Sequence, residues 1–153
     1  MHPGAVILGY EMDPENFELA QVNCRNFDKV TIFNNAIWTE KSIVEYNKDI
    51  RTDAFSINKE LHTGSGINAV SIADIINDNK LTSIDFLKMD IEGAEIEIFK
   101  ADISWLQKVL SLNIEFHNVS DVGLKRYVNL LQDNGFNAWK SKQHWCAIEA
   151  VKI

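Results

Sequence analysis

Apolar positions along this chain fall into short blocks whose period alternates between two and about three and a half. Ala5-Val-Ile-Leu-Gly-Tyr-Glu11 is a continuous apolar run ending on an acid, the pattern of a strand buried on both faces. Asp13 can then cap a helix, Pro14 suits its first position, and Glu15 favours its positive end. Phe17, Ala20, Cys24 and Phe27 recur at helical spacing, and Val30 to Asn34 reads as a second strand. Strand, helix, strand in this order is a right-handed crossover in a parallel sheet.

From Ile43 to Ile67 the pattern loosens. Ile43 to Tyr46 reads as a short strand and Thr63-Gly-Ser-Gly66 as a turn, so an edge hairpin or a mobile surface segment is expected. Ser71-x-x-Asp74 has capping-box spacing before a short helix carrying Ile72, Ile75 and Ile76. The central stretch is Phe86-Leu-Lys-Met-Asp-Ile-Glu-Gly-Ala-Glu95. The run from Ile84 to Asp90 predicts a buried strand, with Phe86, Leu87 and Met89 as its apolar residues. Gly93 permits a tight turn, and a helix follows to about Lys100. Asp102 to Leu110 predicts a short helix and turn with Trp105, Leu106 and Val109 inward. In the strand Ser111 to His117, Leu112, Ile114 and Phe116 share one face and Asn113, Glu115 and His117 the other. Val122 to Asn134 is an amphipathic helix with Leu124, Tyr127, Val128 and Leu131 inside, stopped by Gly135. Phe136 to Trp139 and Trp145 to Ile153 predict a closing antiparallel hairpin. No repeat, low-complexity tract or linker interrupts residues 1–153, which read as a single domain.

Composition narrows the partners. A net charge of −7 with scattered Lys and Arg argues against nucleic acid, whose phosphates demand clustered cations. No run reaches the ~20 apolar residues that span a bilayer, so no membrane association is expected. Cys24 and Cys146 form no Cys-x-x-Cys pair. Cys24, on an apolar helix face, reads as a small buried hydrophobe, and a reducing, cytoplasmic setting fits.

Candidate chemistry gathers at strand ends, where open α/β sheets bind ligands. Asp90 and Glu92 stand where the central strand leaves the sheet. Lys88, two residues before Asp90, shares its face. Glu92 is a candidate general base, and the alternative is that Glu92 and Glu95 only favour the start of the following helix. His117, on the face of Glu115, is a candidate base for an alcohol, with a hydrogen-bonded structural role as the alternative. A metal ligand role for His117 with Asp90, Glu92 or Glu115 is considered and not adopted, because no second clustered His supports it. His62 and His144 read as loop residues. No Gly-x-Gly-x-x-Gly and no Gly-x-x-x-x-Gly-Lys-Ser/Thr loop is present, which disfavours other nucleotide-binding α/β enzymes.

Several blocks together resemble the FkbM-type methyltransferase family of class I S-adenosylmethionine-dependent enzymes. They are Tyr10-Glu-Met-Asp-Pro-Glu-Asn-Phe17, Asn35-Ala36, Val70-Ser-Ile-Ala-Asp74, Ile84 to Glu95 with its Asp-x-Glu-Gly-x-Glu core, and Asn113-Ile-Glu-Phe-His117. They stand in the family's order and cover most of the chain. The resemblance implies a Rossmann-like, mostly parallel sheet closed by an antiparallel hairpin, with S-adenosylmethionine as cofactor and O-methylation of a small molecule or saccharide. It further implies that Glu11 accepts the ribose hydroxyls, that Met12, Asn35 and Ala36 lie by the adenine, and that Asp90 positions the acceptor hydroxyl or the cofactor amine. In each case ordinary strand-end, packing or turn roles are the alternatives.

The family also begins with a strand and an Asp-x-Gly-Ala-Asn-type loop, for which His2-Pro3-Gly4 is no substitute. The domain is therefore expected to be N-terminally truncated by one β-α unit. The exposed strand edges this leaves would invite homo-oligomers. A non-catalytic methyltransferase-like binding or assembly module, or an inactive fragment, is the alternative function.

Overall fold

The computed structural model describes residues 4–48, 55–58 and 66–153. It is a mixed α/β domain with ten strands and four α-helices among those residues. In order they are β1 (Ile7–Tyr10), α1 (Pro14–Cys24), β2 (Val30–Phe33), β3 (Ala36–Ile37), β4 (Ser42–Lys48), β5 (Phe55–Asn58), β6 (Gly66–Val70), α2 (Ile72–Asp78), β7 (Leu87–Met89), α3 (Glu95–Lys100), a 3-10 turn (Ser104–Lys108), β8 (Ser111–Glu115), α4 (Asp121–Asp133), β9 (Phe136–Lys140) and β10 (Ala147–Lys152).

The strands form three sheets, ordered β1-β2, β7-β8-β10-β9 and β3-β6-β4-β5. The β1-β2, β3-β6 and β7-β8 pairs are parallel, and β8-β10, β9-β10, β4-β5 and β4-β6 are antiparallel. The expectation of a mostly parallel sheet is corrected here. Beyond the closing β9-β10 hairpin, which is present, the Ile43 to Ile67 region contributes β4 and β5, whose antiparallel ladders balance the parallel ones. The expected edge hairpin is therefore there, at the margin of the third sheet. His62 and most of the Thr63 to Gly66 turn lie outside the described residues.

β1 is half-buried rather than buried on both faces. Val6 is 72% and Ile7 48% exposed, and among the described residues β1 pairs only with β2. The first helix starts as the sequence requires: the Asp13 carboxylate accepts from the Glu15 and Asn16 amides, with Pro14 in the first position. Its apolar face is only partly covered. Cys24 is half-buried, not buried, and Phe27 is exposed. Phe86 is also exposed, at 61%, because the regular strand is only Leu87–Met89; Ile84 joins the sheet through a single bridge to Val109. Trp145 is exposed ahead of β10, which begins at Ala147.

The main core lies on one face of the β7-β8-β10-β9 sheet. Leu112, Ile114 and Phe116 face Ile98 and Phe99 of α3, Trp105, Leu106 and Val109, and Leu124 and Leu131 of α4. The β8 alternation therefore holds as the sequence predicts, with Asn113, Glu115 and His117 half-buried on the opposite face. A second cluster joins Ala36, Trp38, Val44, Ile67, Ala69 and Ala94. No helix among the described residues is long and apolar enough to cross a membrane.

The capping box of α2 forms in full. The Asp74 amide donates to Ser71 Oγ at 3.1 Å, while the Ser71 amide and hydroxyl donate to Asp74 Oδ2 at 3.0 and 2.7 Å. The Ser71 hydroxyl holds the Asp74 carboxyl below its ordinary range, against a smaller upward push from burial. A depressed carboxylate contributes stability above its unfolded pKa, and that contribution fades as pH falls through the folded value. Ser71→Ala is expected to cost ~1 kcal/mol at neutral pH. The gap to wild type should narrow below about pH 4, read by urea unfolding at both pH values. A gap that widens in acid would refute the assignment.

Candidate active site at the carboxyl end of β7

The chain leaves β7 through a strained turn. Glu92 has φ 55° and Gly93 φ 110°, both in the left-handed region. For Gly93 this is free of steric penalty, while for Glu92 it costs on the order of 1–2 kcal/mol. The turn is held from beneath by Glu95, the first residue of α3, which is fully buried. Its Oε1 accepts the Ile91 amide at 2.9 Å and its Oε2 accepts the Gly93 amide at 2.8 Å. Glu95 thus fixes the backbone on both sides of Glu92 and lets a non-glycine residue keep a conformation it would otherwise avoid.

His117 arrives from the neighbouring strand. Parallel pairing sets Leu87 against Leu112, Lys88 against Asn113 and Met89 against Ile114, so the chains leaving β7 and β8 stay side by side. His117 Nδ1 lies 3.1 Å from Glu95 Oε1. A carboxylate oxygen already accepting an amide can only accept again, so Nδ1 carries the hydrogen. Nε2 then faces outward, 3.7 Å from Asp90 Oδ1 and 3.5 Å from Glu92 Oε2. The three residues singled out from the sequence as catalytic candidates, Asp90, Glu92 and His117, therefore converge on one point.

Lys88 flanks them. Its Nζ is 3.4 Å from Asp90 Oδ2 and in closer contact with Glu115 Oε1. Partial burial pulls the Lys88 ammonium down, but the hydrogen bond to Glu115 and the charges of Asp90 and Glu115 outweigh it, leaving its pKa above the ordinary lysine value. Glu115 also meets His144 Nδ1 at 3.4 Å through its other oxygen. Cys146 is fully buried, and burial, followed by the nearby Glu115 charge, pushes its thiol up, so it stays a neutral thiol at physiological pH.

Of the candidates for cofactor contact, Asp90 stands in the cluster just described, and Glu11, Met12, Asn35 and Ala36 lie beyond the ends of β1 and β2. Glu11 ends β1 half-buried, with Oε1 accepting the Asp13 amide at 2.8 Å. The Asn34 side-chain amide donates to the Glu11 and Met12 carbonyls at 2.9 and 3.2 Å, fixing the exit from β1. Met12 packs against the second core cluster, of which Ala36, 2% exposed, is a member, and Asn35 Nδ2 donates to the Asn68 carbonyl at 3.2 Å. Ala36 is thus a core residue rather than an open surface. Ile91 packs against the same cluster and Ala94 belongs to it, so one apolar group supports both the Met12 segment and the Glu92 turn.

Glu95 and Asn34 are the residues that sequence reasoning passed over. Glu95 was legible only as a helix-start charge. The signal available was its place in Asp-x-Glu-Gly-x-Glu, two residues beyond a glycine whose amide needs an acceptor. A shallow groove runs along α4 past Val122, Arg126 and Leu130, and none of the cluster's residues enters it.

Acids at the carboxyl ends of parallel strands, in a mixed α/β domain with a histidine beside them, stand where open α/β sheets bind their ligands. The methyltransferase FkbM domain matches residues 1–138, and the chain belongs to this methyltransferase family. No curated protein and no solved structure matches it.

Proposed function

We propose that this domain serves methyl transfer from S-adenosylmethionine to an oxygen of a small-molecule or saccharide acceptor, on a Rossmann-like class I framework. The observation that carries the reading is the convergence of Asp90, Glu92 and His117 beyond β7 in a chain of the FkbM family. When bound, S-adenosylmethionine supplies a sulfonium methyl group, whose sulfur is left as a thioether once the acceptor oxygen takes the methyl. Asp90, the most exposed of the three, orients the acceptor hydroxyl. The hydroxyl proton passes to Glu92 or to His117 Nε2, whose outward aim follows from the Glu95 contact.

The donor set fits the cofactor at Glu11. One carboxylate oxygen is engaged by a backbone amide, which fixes the side chain at the strand end, and a carboxylate retains further acceptor capacity for a ribose diol. Asn35 and Met12 sit on the next turn and the cluster behind it, as neighbours of the adenine would.

Calorimetric titration with S-adenosylhomocysteine tests the reading. Micromolar binding that weakens in Glu11→Ala supports it. A folded sample that does not bind supports the second reading, a non-catalytic binding or assembly module. That alternative has its own motive. Val6, Ile7 and Phe86 are exposed at β1 and beside β7, and each of these strands pairs on one side only among the described residues.

A further inference from the structure

We infer that Asp90 Oδ1, Glu92 Oε2 and His117 Nε2 form a binding site for one divalent cation of the manganese class, with Glu95 as the carboxylate that orients the histidine. The three atoms lie within 4.8 Å of one another. Around an ion bound at about 2.1–2.2 Å, ligand atoms at right angles are about 3.0 Å apart and opposite ones about 4.3 Å. The observed 3.7 and 3.5 Å fall between these limits. Neither is a close hydrogen-bond distance.

The tautomer points the same way. Nδ1 donates to Glu95, a fully buried carboxylate whose other contacts are backbone amides. That leaves Nε2 facing the two carboxylate oxygens. Metal-bound histidines characteristically give their other ring hydrogen to such a carboxylate.

Lys88 does not compete, because it engages Asp90 through Oδ2 and leaves Oδ1 on the histidine side. The other possible ligand group, Glu115, His117 and Cys146, is weaker. Glu115 is already held by Lys88 and His144, and Cys146 is fully buried. One nitrogen and two carboxylate oxygens suit manganese, and three protein ligands leave positions open to solvent. On the methyl-transfer reading, those positions would take the acceptor hydroxyl and release its proton to solvent, with Glu92 and His117 Nε2 serving as ligands in place of the proton-acceptor role given above, and this part of the inference rests on that reading.

The test uses the full chain, stripped with chelator and titrated with Mn2+ alone, followed by electron paramagnetic resonance. One ion should bind per chain, with the spin-echo modulation of a single imidazole nitrogen. Asp90→Asn and Glu92→Gln should each weaken binding by ~10-fold or more, His117→Gln should abolish the nitrogen modulation, and Glu115→Gln should leave binding unchanged. Absence of bound Mn2+ at millimolar concentration would overturn the inference. So would binding indifferent to Asp90→Asn and Glu92→Gln, or binding lost in Glu115→Gln. The wild-type nitrogen signature decides the histidine's part without any variant. Because neither methyl donor nor acceptor is present, failure here is separate from failure of the S-adenosylhomocysteine titration.

Discussion

Glu95→Ala is expected to remove ~3–5 kcal/mol of folding stability, a large share of the ~5–15 kcal/mol typical of a domain. The size follows from what the side chain does. It is fully buried and accepts the Ile91 amide, the Gly93 amide and His117 Nδ1. Truncation leaves three half-buried donors without their acceptor, each at about 1–3 kcal/mol unless water enters. It also releases the left-handed Glu92, whose strain is then unopposed. Glu95→Gln keeps the volume but sets an NH2 group against donors, so an intermediate loss of about 1–3 kcal/mol is expected. Urea unfolding followed by circular dichroism, with unchanged slope, measures both. Glu95→Ala within ~0.5 kcal/mol of wild type would place it among ordinary surface changes and show that the turn is held by something else.

This residue also marks where sequence reasoning stops. Asp90, Glu92 and His117 were legible because they depend on register. Two parallel strands side by side bring their ends together, and period-two alternation places Lys88 with Asp90, and Glu115 with His117, on shared faces. Which of Glu92 and Glu95 turns inward does not depend on period. It depends on the positive φ values of Glu92 and Gly93, which no apolar pattern encodes. The same limit explains the strand β6. Its buried positions Ile67 and Ala69 alternate correctly, but a glycine, an asparagine and a small alanine blur the signal. β1 failed in the opposite sense. Its apolar run is real, but burial on both faces needs a layer packed over each, and among the described residues Ile7 stays half exposed. Caps, by contrast, are local chemistry, so Asp13 and the Ser71–Asp74 box were legible from the residues alone.

Phe116→Ala is expected to cost ~3–5 kcal/mol, comparable to Glu95→Ala and by a different mechanism. Phe116 is fully buried at the exit of β8. Its ring stacks on Tyr127 at 4.1 Å and meets Phe99 edge-on at 5.2 Å, and Phe99 in turn meets Trp105 at 5.7 Å. Removing it opens a cavity at the junction of α3, α4 and the sheet, which aromatic neighbours in fixed rotamers cannot fill. Phe116→Leu keeps much of the volume and should lose clearly less. If the two variants unfold at the same urea concentration, the aromatic contacts are not what stabilises this junction. The two large predictions also share an element. Phe99 sits one helical turn beyond Glu95 on α3, while Phe116 directly precedes His117, the residue Glu95 holds. Both substitutions loosen the docking of α3 on the end of β8, so their losses should combine to less than their sum. A double-mutant cycle would measure a coupling of about 0.5–3 kcal/mol, the size typical of contacting networks. Strict additivity would instead mean that the buried carboxylate and the aromatic junction hold the site independently.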